Sequence, residues 1–260
     1  MALITCNYYS EVLGLSTSLT AILPQQTLTQ IGMSNKSSGT KHKTLYLLHG
    51  LSDDHTIWLR RTSVERYVAE LGIAVIMPQV HRSFYSDMVH GGAYWSFLTE
   101  ELPAIARSFF PLSAAREDNF VAGLSMGGYG AFKWALSNPE CFAAAGSLSG
   151  VLDIVKYSKE NVDDAKKRTL ELVFGDEPLA GTTHDLLHLL DTTSGNGQSK
   201  PALYQCCGTE DYLYDHNASF RVACADKPDY CLTYEEGPGD HNWAYWDQQI
   251  QSFLKWLKLS

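Results

Sequence analysis

Short apolar runs alternate with amphipathic segments along most of the chain. Two stretches rich in Leu, Ile, Thr and Tyr, Ala2–Tyr9 and Leu15–Leu23, flank Gly14 and predict an antiparallel pair of strands. Thr44–Leu48 is a continuous apolar run, which is typical of a strand buried on both faces in a parallel sheet. The later runs predict further strands at Ile73–Met77, Phe120–Ala122, Cys141–Leu148, Pro201–Cys207 and Tyr230–Tyr234.

The segments between these runs carry apolar side chains at helical spacing. They predict helices at Trp58–Leu71, Tyr94–Phe110, Gly128–Leu136, Asp215–Ala225 and Trp243–Leu259. Pro103 is expected to kink the second helix, because proline cannot donate a backbone hydrogen bond. The alternation of strand and helix predicts an α/β fold, with a mostly parallel eight-stranded sheet flanked by helices, in one domain over residues 1–260.

Two regions interrupt this alternation. Gln25–Lys43 is polar, and we expect a surface loop there, with Ser34–Gly39 as its most mobile part. Val151–Ser199 is polar and charged as far as Arg168 and then contains a short helical pattern at Thr183–Leu190. We expect the second region to be an excursion from the sheet.

Composition limits the class of protein. The chain has 260 residues, of which 45% are hydrophobic and 19% charged, as in a globular protein with a sizeable core. Its net charge is −9, from 20 basic and 29 acidic residues, so neither nucleic acid nor an anionic membrane is expected as a partner. No apolar run approaches the ~20 residues of a membrane span. No basic segment followed by an apolar core opens the chain, so a cytoplasmic protein is expected.

Few residues occur in metal-binding patterns. The six cysteines form no CxxC pair, and we expect Cys206 and Cys207, on one predicted strand, to belong to the core. His184 and His188 lie four positions apart and would share a helix face, but a zinc site needs a third and usually a fourth ligand. No such set of ligands is evident nearby. We therefore expect two partly exposed histidines, with no metal and no cofactor.

The clearest chemical signal is Gly123–Gly127, GLSMG, between a predicted strand and a predicted helix. Gly-x-Ser-x-Gly in this position is the nucleophile elbow of the α/β-hydrolases. The turn is so tight that serine is strained, and side chains larger than hydrogen at Gly123 and Gly127 would collide. We expect Ser125 to be a nucleophile above the sheet. The N–H of Met126 would then lie at a helix N-terminus, where negative charge is favoured.

The partners that a nucleophilic serine needs follow in the order acid, then histidine. Asp211 comes after one predicted strand, and His241 comes after the last strand. Both therefore lie at the same edge of the sheet as Ser125. We expect His241 to take the proton of Ser125 and Asp211 to orient the imidazole.

Four other residues are candidates for the acid or the base: Glu210, Asp215, Asp240 and His49. Asp240 is disfavoured because adjacent residues of an extended loop point apart. Glu210 would have to exchange faces with Asp211. His49 precedes the acid in the chain, so His241 is preferred as the base.

A second oxyanion donor is expected after the strand Thr44–Leu48, where His49-Gly50 begins a turn. The N–H of Leu51 would join that of Met126 there. The alternative is a plain strand-to-helix turn capped by Asp53 or Asp54, and both interpretations can hold together.

Pocket residues are expected in loops at the carboxyl ends of the parallel strands, because such loops line ligand crevices. Gln79–Gly92 is one such loop, and it carries His90. The glycine-rich loop that carries His241 leads into Trp243. We expect His90 and Trp243 to border the substrate pocket.

Six motifs extend beyond the serine itself: His49–Asp54, Glu100–Pro103, Gly123–Ala131, Ser147–Gly150, Gly208–Asp211 and His241–Trp243. Together they resemble the esterase D-like branch of the α/β-hydrolases, and most of all its bacterial tributyrin esterases. Relatives within that branch include S-formylglutathione hydrolases and feruloyl and acetyl-xylan esterases. The resemblance is strongest from Leu45 to Gly150.

The resemblance implies a cytoplasmic serine carboxylesterase for short acyl chains that needs no cofactor and often forms homo-oligomers. It assigns Ser125, Asp211 and His241 to the catalytic triad and the N–H groups of Leu51 and Met126 to the oxyanion hole. It also implies that the excursion at residues 151–199 is a cap or lid over the site.

The expected substrates are small acyl esters such as tributyrin and p-nitrophenyl acetate or butyrate. The alternatives are a thioesterase of the S-formylglutathione hydrolase type and an acetyl or feruloyl sugar esterase. Arg82 is the clearest basic residue that could meet anionic glutathione. A third possibility, from another class, is an inactive hydrolase scaffold used for binding.

Overall fold

A computed structural model describes residues 1–37, 39–160 and 163–259. It contains an eight-stranded sheet with the strand order β1-β2-β4-β3-β5-β6-β7-β8. The strands are β1 (Ala2–Ser10), β2 (Leu15–Leu23), β3 (Thr44–Leu48), β4 (Ala74–Pro78), β5 (Asn119–Leu124), β6 (Ala144–Leu148), β7 (Ala202–Gly208) and β8 (Leu232–Gly237). β1 and β2 pair antiparallel, β2 runs antiparallel to β4, and the remaining neighbours are parallel. The expected mostly parallel sheet is confirmed.

The two clearest departures from the predicted strands lie at β6 and β8. β6 was expected to begin at Cys141 but begins at Ala144, because Pro139–Cys141 forms a 3-10 turn. β8 was expected at Tyr230–Tyr234 but spans Leu232–Gly237. The N–H of Tyr230 instead closes a turn on the carbonyl of Lys227.

Helices cover both faces of the sheet. Their bounds are α1 (Ile57–Arg61), α2 (Val64–Ala69), α3 (Tyr94–Ser96), α4 (Leu102–Phe109), α5 (Met126–Ser137), α6 (Ile154–Lys159), α7 (Asp164–Phe174), α8 (Leu186–Thr193), α9 (Tyr214–Ala225) and α10 (Trp243–Trp256). Alternate residues of the central strands belong to two cores. In β3, Tyr46 and Leu48 join the core with α5, whereas Leu45 and Leu47 join the core with α10.

The single helix expected at Trp58–Leu71 is wrong, because two short helices, α1 and α2, occupy this stretch. Thr62 separates them with an extended backbone, φ −135° and ψ 175°. Its hydroxyl donates to the carbonyl of Trp58 at 2.6 Å and accepts the N–H of Val64 at 3.1 Å. A threonine side chain that binds neighbouring backbone groups competes with the helical hydrogen bonds, which explains the break.

The expected irregularity near Pro103 takes the form of a π-helical turn. Phe97–Glu101 joins α3 to α4, and the N–H of Leu102 donates to the carbonyl of Phe97, five residues back. The missing N–H of Pro103 and the bulk of its ring disfavour ordinary helical bonding in the preceding turn.

The polar segments fall outside the sheet. Residues 24–37 and 39–43 form neither helix nor strand, and Ser38 of the expected loop lies outside the described residues. The excursion between β6 and β7 contains α6, α7 and α8, and its residues 161 and 162 also lie outside the described residues. Apolar side chains of α6, α7 and α8 join the same core as α5.

Candidate active site

Ser125 lies at the turn from β5 into α5. Its backbone has φ 53° and ψ −119°, a conformation that costs of order 1–3 kcal/mol for a residue other than glycine. The surrounding structure compensates, because the N–H of Ser125 donates to the carbonyl of Leu148 and its own carbonyl accepts the N–H groups of Tyr129 and Val151. These hydrogen bonds hold the strained backbone in place, and the backbone conformation sets the direction of the serine side chain.

The glycines of this turn are required by close packing. A Cβ on Gly123 would lie 2.4 Å from the carbonyl of Gly127, and a Cβ on Gly127 would lie 2.5 Å from the carbonyl of Leu48. Both distances are far shorter than any real carbon contact, so the expected collisions are confirmed. Only glycine allows α5 to begin this close to β3 and β5.

A continuous hydrogen-bonded chain joins the serine, the histidine and the acid. The hydroxyl of Ser125 lies 3.0 Å from Nε2 of His241. Nδ1 of His241 lies 2.9 and 3.0 Å from the two carboxylate oxygens of Asp211. Because a carboxylate only accepts, Nδ1 carries the proton, and Nε2 is left free to accept from the serine.

Burial differs along this chain of contacts. The Asp211 side chain has no exposed surface, whereas 14% of the His241 side chain is exposed. Asp211 also accepts the N–H of Leu213 at 2.8 Å, which fixes the carboxylate.

The loops that carry Asp211 and His241 are tied to each other. The carbonyl of Gly239 accepts the N–H of Glu210 at 3.0 Å, and the Glu210 carboxylate accepts the N–H of Gly239 at 2.5 Å. A Cβ on Gly208 would lie only 2.1 Å from the carbonyl of Gly239, so these loops touch.

The rival residues occupy other places. Glu210 is exposed and holds the neighbouring loop, Asp240 accepts the N–H of His241, and Asp215 forms an exposed ion pair with Lys156 at 3.6 Å. Among these carboxylates, Asp211 is the one that the structure brings to Nδ1 of His241.

Two backbone donors are available for an oxyanion. Within the described part of the chain, neither the N–H of Leu51 nor that of Met126 donates to a protein acceptor. Met126 is the first residue of α5, so its N–H lies at the positive end of the helix dipole. Asp54 does not cap α1: it accepts the N–H and the hydroxyl of Thr56, at 2.8 and 2.6 Å, within the turn that precedes the helix.

His49 supports the turn that carries Leu51. Its Nδ1 lies 2.8 Å from the carbonyl of Gly50, and its Nε2 lies 3.2 Å from the N–H of Val80. A carbonyl accepts and an N–H donates, so the ring is neutral with its proton on Nδ1. Complete burial lowers the pKa of His49 to about 4.

A buried lysine supports the same turn from α5, and the sequence reasoning missed it. Nζ of Lys133 donates to the carbonyl of Tyr85 at 3.2 Å and to the hydroxyl of Ser86 at 2.8 Å. The hydroxyl of Tyr85 in turn donates to the carbonyl of His49 at 2.8 Å. Burial lowers the pKa of Lys133 to about 7. Gly130 makes room for the Tyr85 ring, which a Cβ there would meet at 2.4 Å.

Two aromatic rings flank His241, and neither was singled out from the sequence. Trp246 lies edge-on with its centroid 4.8 Å away and donates from Nε1 to the hydroxyl of Ser149 at 3.1 Å. Tyr212 lies 4.6 Å away on the exposed side. Trp243 packs against Trp246 at 5.3 Å, one ring farther from the histidine. The helical spacing of Trp243 and Trp246 in α10 was the available signal for this arrangement.

His90 and Arg82 lie on the loop between β4 and α3, where both are exposed. The N–H of His90 donates to the carbonyl of Leu172 on α7, and Arg82 donates to the hydroxyl of Thr169 at 2.9 Å. The structure therefore places both residues against α7, and the chain of contacts from Ser125 to Asp211 does not include them.

Metal ligands are not clustered in residues 1–37, 39–160 and 163–259, where no group of three or more His, Cys, Asp or Glu side chains could hold an ion. His184 precedes α8 and only His188 lies within it, so the expected shared helix face is wrong, although both are partly exposed. Cys206 and Cys207 are fully buried, which confirms their place in the core.

The arrangement is suited to nucleophilic attack on a carbonyl carbon. It combines a hydroxyl beside one imidazole nitrogen, a buried carboxylate at the other nitrogen, and two backbone N–H groups without a protein acceptor in the described residues. This combination, on an eight-stranded sheet with the nucleophile at a strand-to-helix turn, defines a serine hydrolase of the α/β-hydrolase fold.

Comparisons with known proteins identify the family. The family model described as "Putative esterase" matches residues 20–257. An acetyl esterase of Caldicellulosiruptor saccharolyticus is 32% identical over 99% of this chain and 98% of its own length. The chain therefore belongs to this esterase family and is a carboxylic ester hydrolase.

Two solved structures from Staphylococcus aureus are similar over the whole chain. One is the fluorophosphonate-binding serine hydrolase F, with 38% identity and a TM-score of 0.88, covering 100% of this chain and 98% of that protein. The other is the S-formylglutathione hydrolase FrmB, with 38% identity and a TM-score of 0.85, covering 100% and 99% of the two chains.

None of the helices in the described residues has the length and apolar character of a membrane-spanning segment.

Proposed function

We propose that the protein hydrolyses short-chain acyl esters through an acyl-enzyme on Ser125. The observation that carries the proposal is the hydrogen-bonded chain from Ser125 through His241 to Asp211. The serine hydrolase class of the similar structures supports the nucleophile, and the acetyl esterase relative supports a short acyl group.

The geometry supports a two-step reaction. Ser125 attacks the ester carbon while its proton passes to Nε2 of His241, and Asp211 stabilises the resulting imidazolium. The N–H groups of Leu51 and Met126 bind the oxyanion. His241 then gives the proton to the leaving alkoxide, which departs as an alcohol. Water then attacks the acyl carbon and gives a proton to His241, which returns it to the Ser125 oxygen as the bond to serine breaks and the carboxylic acid leaves.

Packing beside the nucleophile supports a short acyl group. The N–H of Val151 donates to the carbonyl of Ser125 at 3.3 Å, and both Val151 and Leu152 are buried. Protein atoms therefore fill this side of the turn. This side of the turn, where the excursion begins, therefore offers no room for a long acyl chain.

We further propose that residues 151–199 act as the cap. Phe84 of the loop that follows β4 contacts Tyr129 of α5, Tyr157 of α6 and Phe174 of α7, so the excursion rests on the nucleophile helix through aromatic rings. Truncation of Leu170 to Ala on α7 should shift the preferred acyl chain length more than it changes turnover of an acetate. An unchanged acyl profile would count against a cap.

A thioesterase of the S-formylglutathione hydrolase type is the second candidate, and the observation that favours it is the similarity to FrmB. Arg82 remains the basic residue for glutathione in this proposal, and it is exposed with one hydrogen bond to Thr169. A cytoplasmic location and a homo-oligomeric state also remain proposals that accompany the esterase assignment.

The deciding experiment measures hydrolysis of p-nitrophenyl esters from acetate to laurate, with S-formylglutathione alongside, by the wild type and by Ser125→Ala. We expect activity to peak at short chains and to fall by at least ~10⁴ in the variant, as when a triad serine is removed. Dominant thioester turnover would favour the second candidate. Activity that persists in Ser125→Ala would disprove the acyl-enzyme.

A further inference from the structure

Tyr212 is an exposed aromatic residue in contact with the histidine of the site. It directly follows Asp211, and 63% of its surface is accessible to solvent. Its ring centroid lies 4.6 Å from that of His241, with 51° between the ring planes. Trp246 occupies another side of the same imidazole and is buried. One side of His241 is thus packed by the core, and the other is covered by an aromatic ring that faces water.

The reaction places the leaving group near this ring. Nε2 of His241 lies 3.0 Å from the hydroxyl of Ser125, and the same nitrogen must deliver the proton to the leaving alkoxide. The alkoxide oxygen therefore lies within hydrogen-bond reach of Nε2 when the bond breaks. The oxyanion is held separately by the N–H groups of Leu51 and Met126. The alcohol portion is consequently beside the imidazole, whose solvent side carries Tyr212.

The charges around Tyr212 are negative. Partial burial of the ring raises the pKa of the Tyr212 phenol to about 12, and the negative charges of Asp211, Glu160 and Asp240 add to this rise. Of these three carboxylates, Glu160 lies 2.7 Å from Nε2 of His216. These negative charges would repel an anionic alcohol, whereas they would not repel a neutral one.

We propose that Tyr212 determines leaving-group specificity by stacking its exposed ring on the alcohol portion of the ester, so that neutral ring-bearing alcohols are preferred over alkyl and anionic alcohols. This inference rests on the proposed esterase function. Phenols, benzyl alcohols and sugars share the required chemistry, an uncharged ring face that packs on an aromatic side chain.

The test holds the acyl group constant and varies the alcohol. Acetyl esters share one acyl-enzyme, so differences in kcat/KM between them report the step in which the alcohol leaves. Benzyl acetate and ethyl acetate form a pair with alkoxides of similar basicity. A mono-acetylated methyl glycoside tests the sugar source, and 4-acetoxybenzoate against 4-acetoxybenzamide tests charge.

The variants are Tyr212→Ala and Tyr212→Phe, with Tyr9→Ala as the matched control on the exposed face of β1. We expect Tyr212→Ala to lower kcat/KM for benzyl acetate about three- to tenfold, the usual worth of one aromatic contact, with little change for ethyl acetate. Tyr212→Phe and Tyr9→Ala should keep the wild-type ratio. A similar loss of kcat/KM for the acetylated glycoside would extend the preference to sugars, and a loss for benzyl acetate alone would limit it to aryl groups.

Each outcome has one meaning. An equal loss on ethyl and benzyl acetate would show that Tyr212 only positions His241, which would overturn the proposal. An unchanged ratio in Tyr212→Ala would overturn it as well, and so would faster turnover of 4-acetoxybenzoate than of the benzamide by the wild type. Absence of Ser125-dependent hydrolysis of every acetate would instead refute the esterase function itself. Thermal unfolding of each variant shows whether the fold is retained.

Discussion

Two histidines follow strands at the same edge of the sheet, and their surroundings give them opposite properties. His49 follows β3 and directs both ring nitrogens to backbone groups, the carbonyl of Gly50 and the N–H of Val80. His241 follows β8 and directs its nitrogens to side chains, the hydroxyl of Ser125 and the carboxylate of Asp211. The two rings are alike in chemistry, but they differ in their partners and in burial: His49 is fully buried, whereas 14% of the His241 side chain is exposed.

The partners decide what each imidazole can do. A backbone carbonyl and a backbone N–H fix one neutral tautomer, and a proton added to Nε2 of His49 would face another N–H group. A hydroxyl can give up its proton, and a buried carboxylate stabilises the imidazolium that results. The comparison therefore separates a histidine that positions the backbone from one that transfers protons.

The largest expected effect comes from removing the carboxylate that His241 has and His49 lacks. Asp211→Asn should lower kcat by about 10⁴, because an amide that donates to Nδ1 would leave the proton on Nε2, where it cannot accept from Ser125. The free energy of unfolding should change little, since asparagine has nearly the same shape. Steady-state kinetics and urea unfolding of the same preparation check both statements. Unchanged kcat would assign the acid role to another carboxylate.

A smaller effect is expected from His49→Ala. The substitution leaves the buried N–H of Val80 without its partner, and it leaves a cavity, so we expect a loss of about 2–4 kcal/mol in the free energy of unfolding. The kcat of the folded enzyme should fall less than in Asp211→Asn, because only the turn that carries Leu51 is disturbed. His49→Gln offers an amide of similar reach as the control. A loss of kcat as large as that of Asp211→Asn, without destabilisation, would make His49 a catalytic residue.

The pH dependence of stability gives the smallest effect. The pKa of His49 is about 4 in the folded protein and about 6.5 when unfolded, so its contribution is complete above pH 6.5 and is lost as the pH falls toward 4. The unfolded chain binds the proton first, and the full loss amounts to ~3 kcal/mol. Between pH 7 and pH 5, the wild type should lose ~2 kcal/mol more than His49→Gln.

His184 serves as an internal check on this measurement. Burial lowers its pKa to about 4 as well, and the positive charge of Lys133 adds to the effect. Its contribution is present in the wild type and in His49→Gln alike, so the difference between them isolates His49. Parallel stability curves for the two proteins from pH 7 to pH 5 would contradict the assignment of His49 as a neutral buried ring.

The local sequence indicated two of the irregular backbone features, the turn at Ser125 and the distorted helix before Pro103. The crowded turn at Ser125 follows from Gly123 and Gly127, and the π-helical turn lies next to Pro103, because glycine and proline act through their own backbone sterics. The break at Thr62 was not predicted. The hydroxyl of Thr62 binds neighbouring backbone groups in place of the helical hydrogen bonds, and the spacing of apolar residues does not indicate whether it will do so.

The pocket roles expected of Trp243 and His90 stay predictions, and only the structure shows what surrounds each residue. Trp243 lies one ring away from His241, and Trp246 takes the place beside it. About one turn of α10 separates the two tryptophans, so helical spacing alone does not say which of them contacts the histidine. The backbone N–H of His90 donates to α7, and no sequence pattern specified the position of that helix.

By itself, the sequence determined that the strands exist and where the strained turn at Ser125 lies, because these depend on side-chain periodicity and on local sterics. It also contains serine, acid and histidine in the order that this fold requires. Only the tertiary structure decided which groups meet. Ser125 and His241 are 116 positions apart, and Asp211 and His241 are 30 apart. Contacts across such separations depend on how the strands assemble side by side, and the partners gained there make His241 and His49 different.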